Sequence, residues 1–430
     1  MTPMTRVYHV AKVQARIGWK ALTADEYQDN GVAFLSTPNI KGREIDFTNV
    51  NFISDFRYHE SPELRLRLGD VLLAKDGSTL GIVNCVRTLP RPATVNGSIA
   101  VIRPFAVDPV FLTYWLMGSP VQSRIQQLKD GMGVPHLFQA DIRKLAVPMI
   151  DAREQRRIAD FLDDRVTRID DIISARRTQL ATLEVFARSR AEMITLGLAV
   201  QDDPATTPRW APFGHIPMGW REGRLRNLLC DVQTGPFGSQ LHSDEYVDSG
   251  WPVVNPASLT DEGLHPVRGM AVDDETRSRL KKHLLRVGDI VFGRRGEMGR
   301  AGLVTQTEAG WVCGTGSLLV RLRDPLVSPA YLVALLRTVA VRYYFTQTSV
   351  GSTMENLNTN ILLGAPILIP PASQQVQILS DLGLMRESFR AHRNGLESSI
   401  DLMTEYKQSL ITAAVTGDLD VTTAGSGIPG

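Results

Sequence analysis

At 430 residues the chain is longer than one hydrophobic core usually organises, so two or more domains are expected. With 43% hydrophobic and 22% charged residues, no apolar stretch behind a basic start, and its most apolar segment (331–341) broken by Arg337, it reads as globular, neither secreted nor membrane-spanning. Cys85, Cys230 and Cys313 are too scattered for a disulfide framework or zinc site, which fits a reducing, cytoplasmic setting, and a net charge of +1 leaves any DNA contact to local basic loops or a partner.

In chain order, residues 1–150 mix β-branched runs, Asp70–Ala74 and Ile99–Ile102, with the turn signals Asp76-Gly77 and Asn96-Gly97. That pattern predicts a strand-rich α+β domain. Within it Asp108-Pro109-Val110-Phe111-Leu112 opens a short apolar helix, with Asp at the N-cap and Pro at the first helical position. From 153 to 196 there is no Pro or Gly, and Leu162, Val166, Ile169, Ile173, Leu180, Leu183, Ala187 and Ile194 form a coiled-coil-like stripe. A helix is predicted over 151–197, about 60 Å long at 1.5 Å per residue. Pro204, Pro208 and Pro212 mark 198–217 as a linker. A second strand-rich domain follows over 218–371, in which Ser328-Pro329-Ala330-Tyr331-Leu332 opens a helix. Residues 372–417 carry the stripe Leu382, Phe389, Leu396, Ile400, Met403, Leu410 and Ala414 and read as a second long helix, and 418–430 as a flexible tail.

The two halves repeat one another. Asp25-Glu26-Tyr27 returns as Asp244-Glu245-Tyr246, Leu68-Gly69-Asp70 as Val287-Gly288-Asp289 and Gly97-Ser98-Ile99 as Gly316-Ser317-Leu318, all at a shift of 219 residues. Gln155, Ile158 and Gly197 match Gln375, Ile378 and Gly417 at a shift of 220. The fold expected is therefore a tandem duplication: a strand-rich α+β domain plus a long helix, twice, with the helices pairing as an antiparallel coiled coil and a pseudo-two-fold relating the copies.

Catalytic signatures are missing from the sequence. There is no Gly-Lys dipeptide for a phosphate-cradling loop, the eight histidines and three cysteines show no metal-ligand spacing, and nothing assembles a Ser-His-Asp triad. Asn255-Pro256-Ala257 lacks the second proline and the aromatic of an amino-methyltransferase tetrad. What remains are polar, glycine-bounded loops in register. Lys75, Asp76, Ser78 and Thr79 occupy the place of Arg294, Arg295 and Glu297; Gln14 and Arg16 that of Gln233, Thr234, Phe237 and Ser239; His136 that of Ser352 and Thr353. Arg can grip guanine or a phosphate bidentately, Lys a phosphate, and glycine lets backbone amides come close. These are the candidate DNA-binding residues, with no catalytic and no metal-ligating residue in the chain.

The chain resembles the specificity subunit of type I restriction-modification systems over nearly its full length. The resemblance is carried by His215-Ile216-Pro217-Met218-Gly219-Trp220, by Thr234-Gly235-Pro236-Phe237-Gly238-Ser239-Gln240-Leu241, by Ile369-Pro370-Pro371 with Gln374-Gln375 and Ile378, and by Leu410-Ile411-Thr412-Ala413-Ala414-Val415-Thr416-Gly417. It implies a non-catalytic protein that reads a bipartite, asymmetric double-stranded DNA site, one target-recognition domain per half, with the helices as spacer. It implies two modification subunits that bring S-adenosylmethionine and methylate adenine, and that a translocating restriction subunit can join; no cofactor is expected in this chain. The first copy departs from the pattern: it has Gly18-Trp19-Lys20 in place of the Gly-Pro-Phe-Gly loop and ends its helix Met193-Ile194-Thr195-Leu196-Gly197. Two rival readings are a catalytic nuclease or methyltransferase of a related defence system, and a coiled-coil scaffold without a nucleic-acid role.

Overall fold

The computed structural model describes residues 2–15, 23–128, 135–198, 207–237, 240–260, 262–295, 299–349 and 357–423. The chain divides into two compact units, Met1–Leu180 with Gly395–Gly430, and Ala181–Asn394.

In the first unit β1 (Met4–Arg6) runs through the single turn α1 (Val7–Val10) into β2 (Ala11–Gln14). There follow β3 (Val32–Leu35), β4 (Asn51–Ile53), α2 (Asp55–His59), β5 (Val71–Ala74), β6 (Val83–Cys85), β7 (Ala93–Val95) and β8 (Ile99–Pro104). Helices α3 (Pro109–Met117), α4 (Ser119–Leu128) and α5 (Gln139–Lys144) and strand β9 (Ala146–Pro148) lead to the long helix α6 (Ala152–Thr195). One antiparallel sheet has the order β2-β8-β5-β6, a second the order β4-β3-β7 with β3 and β7 parallel, and β1 pairs with β9. The central strand β5 is buried on both faces: Val71 and Leu73 join the core that holds the helices, Leu72 and Ala74 a second core against the three-stranded sheet. Asp108 caps α3 as its sequence predicts, its carboxylate accepting from the Val110 and Phe111 amides at 2.9 and 3.0 Å.

The second unit holds β10 (Arg221–Arg224), β11 (Leu229–Thr234), β12 (Trp251–Val254), β13 (Leu259–Thr260), β14 (Gly263–Leu264), β15 (Ala271–Val272), α7 (Asp274–Arg279), β16 (Ile290–Gly293), β17 (Ala301–Leu303), β18 (Val312–Cys313) and β19 (Ser317–Leu322). After these come α8 (Pro329–Leu336), α9 (Val339–Ser349), α10 (Thr359–Gly364), β20 (Pro366–Ile369) and the long helix α11 (Ala372–Thr416). Its sheets, β11-β19-β16-β17 and β15-β12-β18, repeat those of the first unit strand for strand, and β10 pairs with β20 as β1 does with β9. The hairpin β13-β14 is an addition among the described residues.

The duplication extends to buried polar groups. In the first unit the Gln155 side chain accepts from the Asp108 amide (2.7 Å) and donates to the Ile150 carbonyl (2.9 Å). In the second, Gln375 accepts from the Ser328 amide (2.7 Å) and donates to the Pro370 carbonyl (2.9 Å). Each glutamine thereby fastens the start of a long helix to its own domain, which explains why it repeats.

Both units show the long helices packed antiparallel. In the first, Leu162 and Val166 near the start of α6 share a core with Ile411, Ala414 and Val415 near the end of α11, and Lys407 pairs with Asp170 at 2.7 Å. In the second, Ala191 and Ile194 near the end of α6 pack in the core that contains Ile378 and Leu382 near the start of α11. Every residue of the two predicted apolar stripes is buried or half-buried. Gly197 and Gly417 end the helices with φ of 69° and 82°, the left-handed conformation that glycine adopts without Cβ strain.

Two stretches differ from expectation. The described part of the 198–217 linker is packed: Phe213 and Ile216 belong to the second unit's core, and the Trp210 indole donates to the Ala340 carbonyl at 3.0 Å. In the described part of the tail, Leu419 and Val421 pack against the first unit's core. Prolines in the one and small residues in the other hid this packing, because single aromatic or aliphatic anchors suffice to fix a short segment.

Candidate nucleic-acid interface

Each unit carries the same loop at the same end of its four-stranded sheet. In the first, the Lys75 amide donates to the Ser98 carbonyl (2.8 Å) and the Leu137 amide to the Lys75 carbonyl (2.9 Å). In the second, the Arg294 amide donates to the Gly316 carbonyl and the Leu357 amide to the Arg294 carbonyl, both at 2.9 Å. Strand pairing sets Ile102 opposite Val71 and Val320 opposite Ile290, so Ser98 matches Gly316 in space and the Gly97-Ser98-Ile99 match read from sequence is one residue out of register. The pairings Gln14 with Val101 and Thr234 with Leu318 put the ends of β2 and β11 beside these loops. Gln14, Lys75, Asp76, Ser78, Thr79 and His136 are so gathered in one unit, and Gln233, Thr234, Phe237, Arg294 and Arg295 in the other. Arg16, Ser239, Glu297, Ser352 and Thr353 lie outside the described residues.

The first unit's group is electrically closed. Lys75 is only 8% exposed, and its ammonium lies 3.2 Å from an Asp76 carboxylate oxygen. The other Asp76 oxygen meets His136 Nδ1. A carboxylate only accepts, so His136 Nδ1 is the donor in this contact. The His136 ring packs edge-on against Phe138 at 4.6 Å, and Phe138 is exposed. Thr79 donates its hydroxyl to the Asp76 carbonyl (3.1 Å), and Ser78 is exposed. Gln14 is buried, and its Oε1 has no hydrogen-bond partner.

The second unit's group leaves a cation outside. The Arg294 guanidinium lies 5.3 Å from the centre of the half-exposed Phe237 ring, and its Nε points to the Leu357 carbonyl at 3.4 Å. Arg295 beside it is exposed. Gly235 sits where a Cβ would fall 1.8 Å from the Gly314 carbonyl oxygen, so the loop that carries Phe237 depends on having no side chain there.

His283 was not among the residues singled out from sequence. It is buried, its ring 3.3 Å from Gln233 Nε2 and hydrogen-bonded to the Thr234 carbonyl. At a shift of 219 its place in the first unit is taken by Leu64, a fully buried core residue. A histidine over a core leucine in the repeat was the available signal. Burial pushes its pKa below the ordinary histidine value, opposed by the Thr234 carbonyl and reinforced by Lys282. The unfolded chain then takes up this proton first as pH falls through about 6.5, so the second unit loses stability on acidification from there. Thermal unfolding between pH 7.5 and 5.5 is expected to show a steeper loss in the wild type than in His283→Leu. Parallel curves would refute it.

No family model matches the chain. It is 21% identical over 407 residues to the type I restriction enzyme StySPI specificity subunit of Salmonella potsdam, a match covering 91% of this chain and 83% of that protein. It is 21% identical over 416 residues to the EcoKI specificity subunit of Escherichia coli K12, with the same coverage of 91% and 83%. The MjaVIII specificity subunit of Methanocaldococcus jannaschii matches at 22% over 177 residues, where the match spans only 41% of that relative's length. Among solved structures, a chain from a type I restriction-modification assembly superposes with a TM-score of 0.70 at 18% identity, over 97% of this chain and 100% of that one. The HsdS subunit from Thermoanaerobacter tengcongensis superposes at 0.50 and 18% identity, over 97% of each chain. At such identities the structural likeness bears on the fold, and the sequence matches agree with it: the chain is similar over nearly its whole length to the specificity subunits of type I restriction enzymes.

Proposed function

We propose that this chain is the sequence-reading, non-catalytic subunit of a type I restriction-modification complex. Residues 1–150 and 218–371 act as its two target-recognition domains, each taking one half of a bipartite, asymmetric duplex site. Two modification subunits supply S-adenosylmethionine and adenine methylation in the cytoplasm, and a restriction subunit can join them. The carrying observation is the loop that both units hold by the same backbone bonds yet fill with different chemistry, Lys75-Asp76-His136 in one and Phe237-Arg294-Arg295 in the other. A repeated scaffold with divergent tips is what reading two unlike half-sites requires. Among the described residues no cluster of His, Cys, Asp and Glu suited to a metal occurs, and no helix is long and apolar enough to cross a membrane.

The test is selection of duplexes from a random pool by the full chain together with its modification subunit. Two short defined motifs separated by a gap of fixed length and free sequence are expected, with an adenine in them methylated. One continuous motif, or no enrichment, would overturn the proposal.

A further inference from the structure

In the second unit the chain on both sides of Phe237 is fastened to one neighbouring turn. Arg279 donates to the Gln240 carbonyl at 2.7 Å and pairs with Glu245, while His283 engages Gln233 and Thr234. Between these two anchors stand Lys281 and Lys282, both exposed. Neither takes an ion pair among the described residues. The acids of this stretch, Asp273, Asp274 and Glu275, stand at its other end, where Asp273 caps α7 through the Thr276 amide (2.8 Å) and Asp274 accepts from the Trp251 indole (2.8 Å). Charge is thus sorted along α7 and its following turn, with the uncommitted cations next to the loop that carries Phe237.

The first unit lacks this arrangement. A shift of 219 brings Lys281, Lys282 and His283 onto Pro62, Glu63 and Leu64, so an acid stands where Lys282 stands and an aliphatic side chain replaces the histidine. Gln14, the counterpart of Gln233, has no imidazole beside it, and its Oε1 is buried without a hydrogen-bond partner. A buried histidine in place of a core leucine costs desolvation unless it gains hydrogen bonds, and here the bonds tie the lysine turn to the end of β11.

We infer that Lys281 and Lys282 form a phosphate clamp that seats the second recognition loop on the duplex, with His283 as the positioning residue that fixes the clamp to that loop. The inference rests on the DNA-reading function proposed above. It makes the two half-sites unequal: the half read by the second unit is held with more backbone charge than the half read by the first. A lysine ammonium is a mobile point charge that suits a phosphate and cannot match the paired acceptors of a base edge as a guanidinium does.

The experiment compares the wild-type full chain with the Lys281→Ala/Lys282→Ala double variant, each with its modification subunit, on duplexes carrying the selected site and on scrambled duplexes. Loss of two phosphate contacts should flatten the dependence of log affinity on log salt by about 1.8, equally on both duplexes, with the selected sequence unchanged. Lys281→Arg/Lys282→Arg should retain the wild-type slope. An unchanged slope in the alanine variant, or a changed sequence preference, overturns the clamp while leaving the DNA-reading function standing. Failure of the wild type to select any sequence overturns both. For His283→Leu, a lowered affinity with the full salt slope and an intact fold supports the positioning role, and unaltered affinity removes it.

Discussion

Asp289→Ala is expected to destabilise the second unit by about 3–5 kcal/mol, because it strands a partly buried cation instead of removing a pair. The Asp289 carboxylate is almost fully buried and accepts from the Arg286 amide (2.7 Å) and from Arg321 Nε and Nη2 (2.9 and 3.0 Å). Arg321 Nη2 also donates to the Leu284 carbonyl (2.9 Å), so the pair joins β19 to the turn before β16 and to the residue that follows the Lys281–His283 turn. Asp231, at 3.9 Å and half-exposed, is too distant and too well solvated to replace it. The first unit repeats the design: Asp70 accepts from the Arg67 amide (2.8 Å) and from Arg103 Nε and Nη2 (both 2.7 Å), and Arg103 donates to the Arg65 carbonyl (2.8 Å). Trp210, Trp220, Trp251 and Trp311 lie in the second unit, so urea denaturation followed by tryptophan fluorescence reports mainly on it. A loss under about 1 kcal/mol for Asp289→Ala would place this carboxylate with ordinary surface ion pairs.

The repeated Gly-Asp was legible as a repeat, but its meaning was not. Asp70 and Arg103 are brought together by strand pairing across β5 and β8, and no local pattern announces a partner thirty-three residues away. The two long helices were legible, since an unbroken apolar stripe and terminal glycines are local signals. Strands β3 and β7 pair in parallel although some sixty residues separate them, a contact that propensity does not encode. At the candidate interface the loops were found from their register alone. Sequence could not show that Lys75 turns inward onto Asp76 while Arg294 lies over Phe237, because the direction of a charged side chain is set by what surrounds it. Within the repeat, Leu64 against His283 was visible as a mismatch, and only packing shows that the mismatch joins a lysine turn to β11.

Arg294→Ala should remove recognition of one half-site and spare the other, at a cost of about 1–3 kcal/mol on the matched duplex. The ring of Phe237 and the Leu357 carbonyl hold the guanidinium at its Nε side, so its two terminal nitrogens form a fork whose direction is set before DNA arrives. A preset fork loses little side-chain entropy on meeting the paired acceptors of guanine, which is where a bidentate contact gains over a flexible one. Two consequences separate base reading from phosphate holding. Arg294→Lys should lose nearly as much as Arg294→Ala, since a point charge cannot span both acceptors, and Phe237→Ala should weaken binding by freeing the fork while the base preference persists. Arg295, exposed and without such a platform, is expected to behave oppositely: Arg295→Ala should lower affinity for matched and mismatched duplexes alike and flatten the salt dependence by about 0.9. The measurement is a competition of all four base pairs at each position of the half-site, repeated at several salt concentrations. Equal losses on every sequence for Arg294→Ala would move it to the backbone and leave the base reading of the second unit to Gln233 and Thr234.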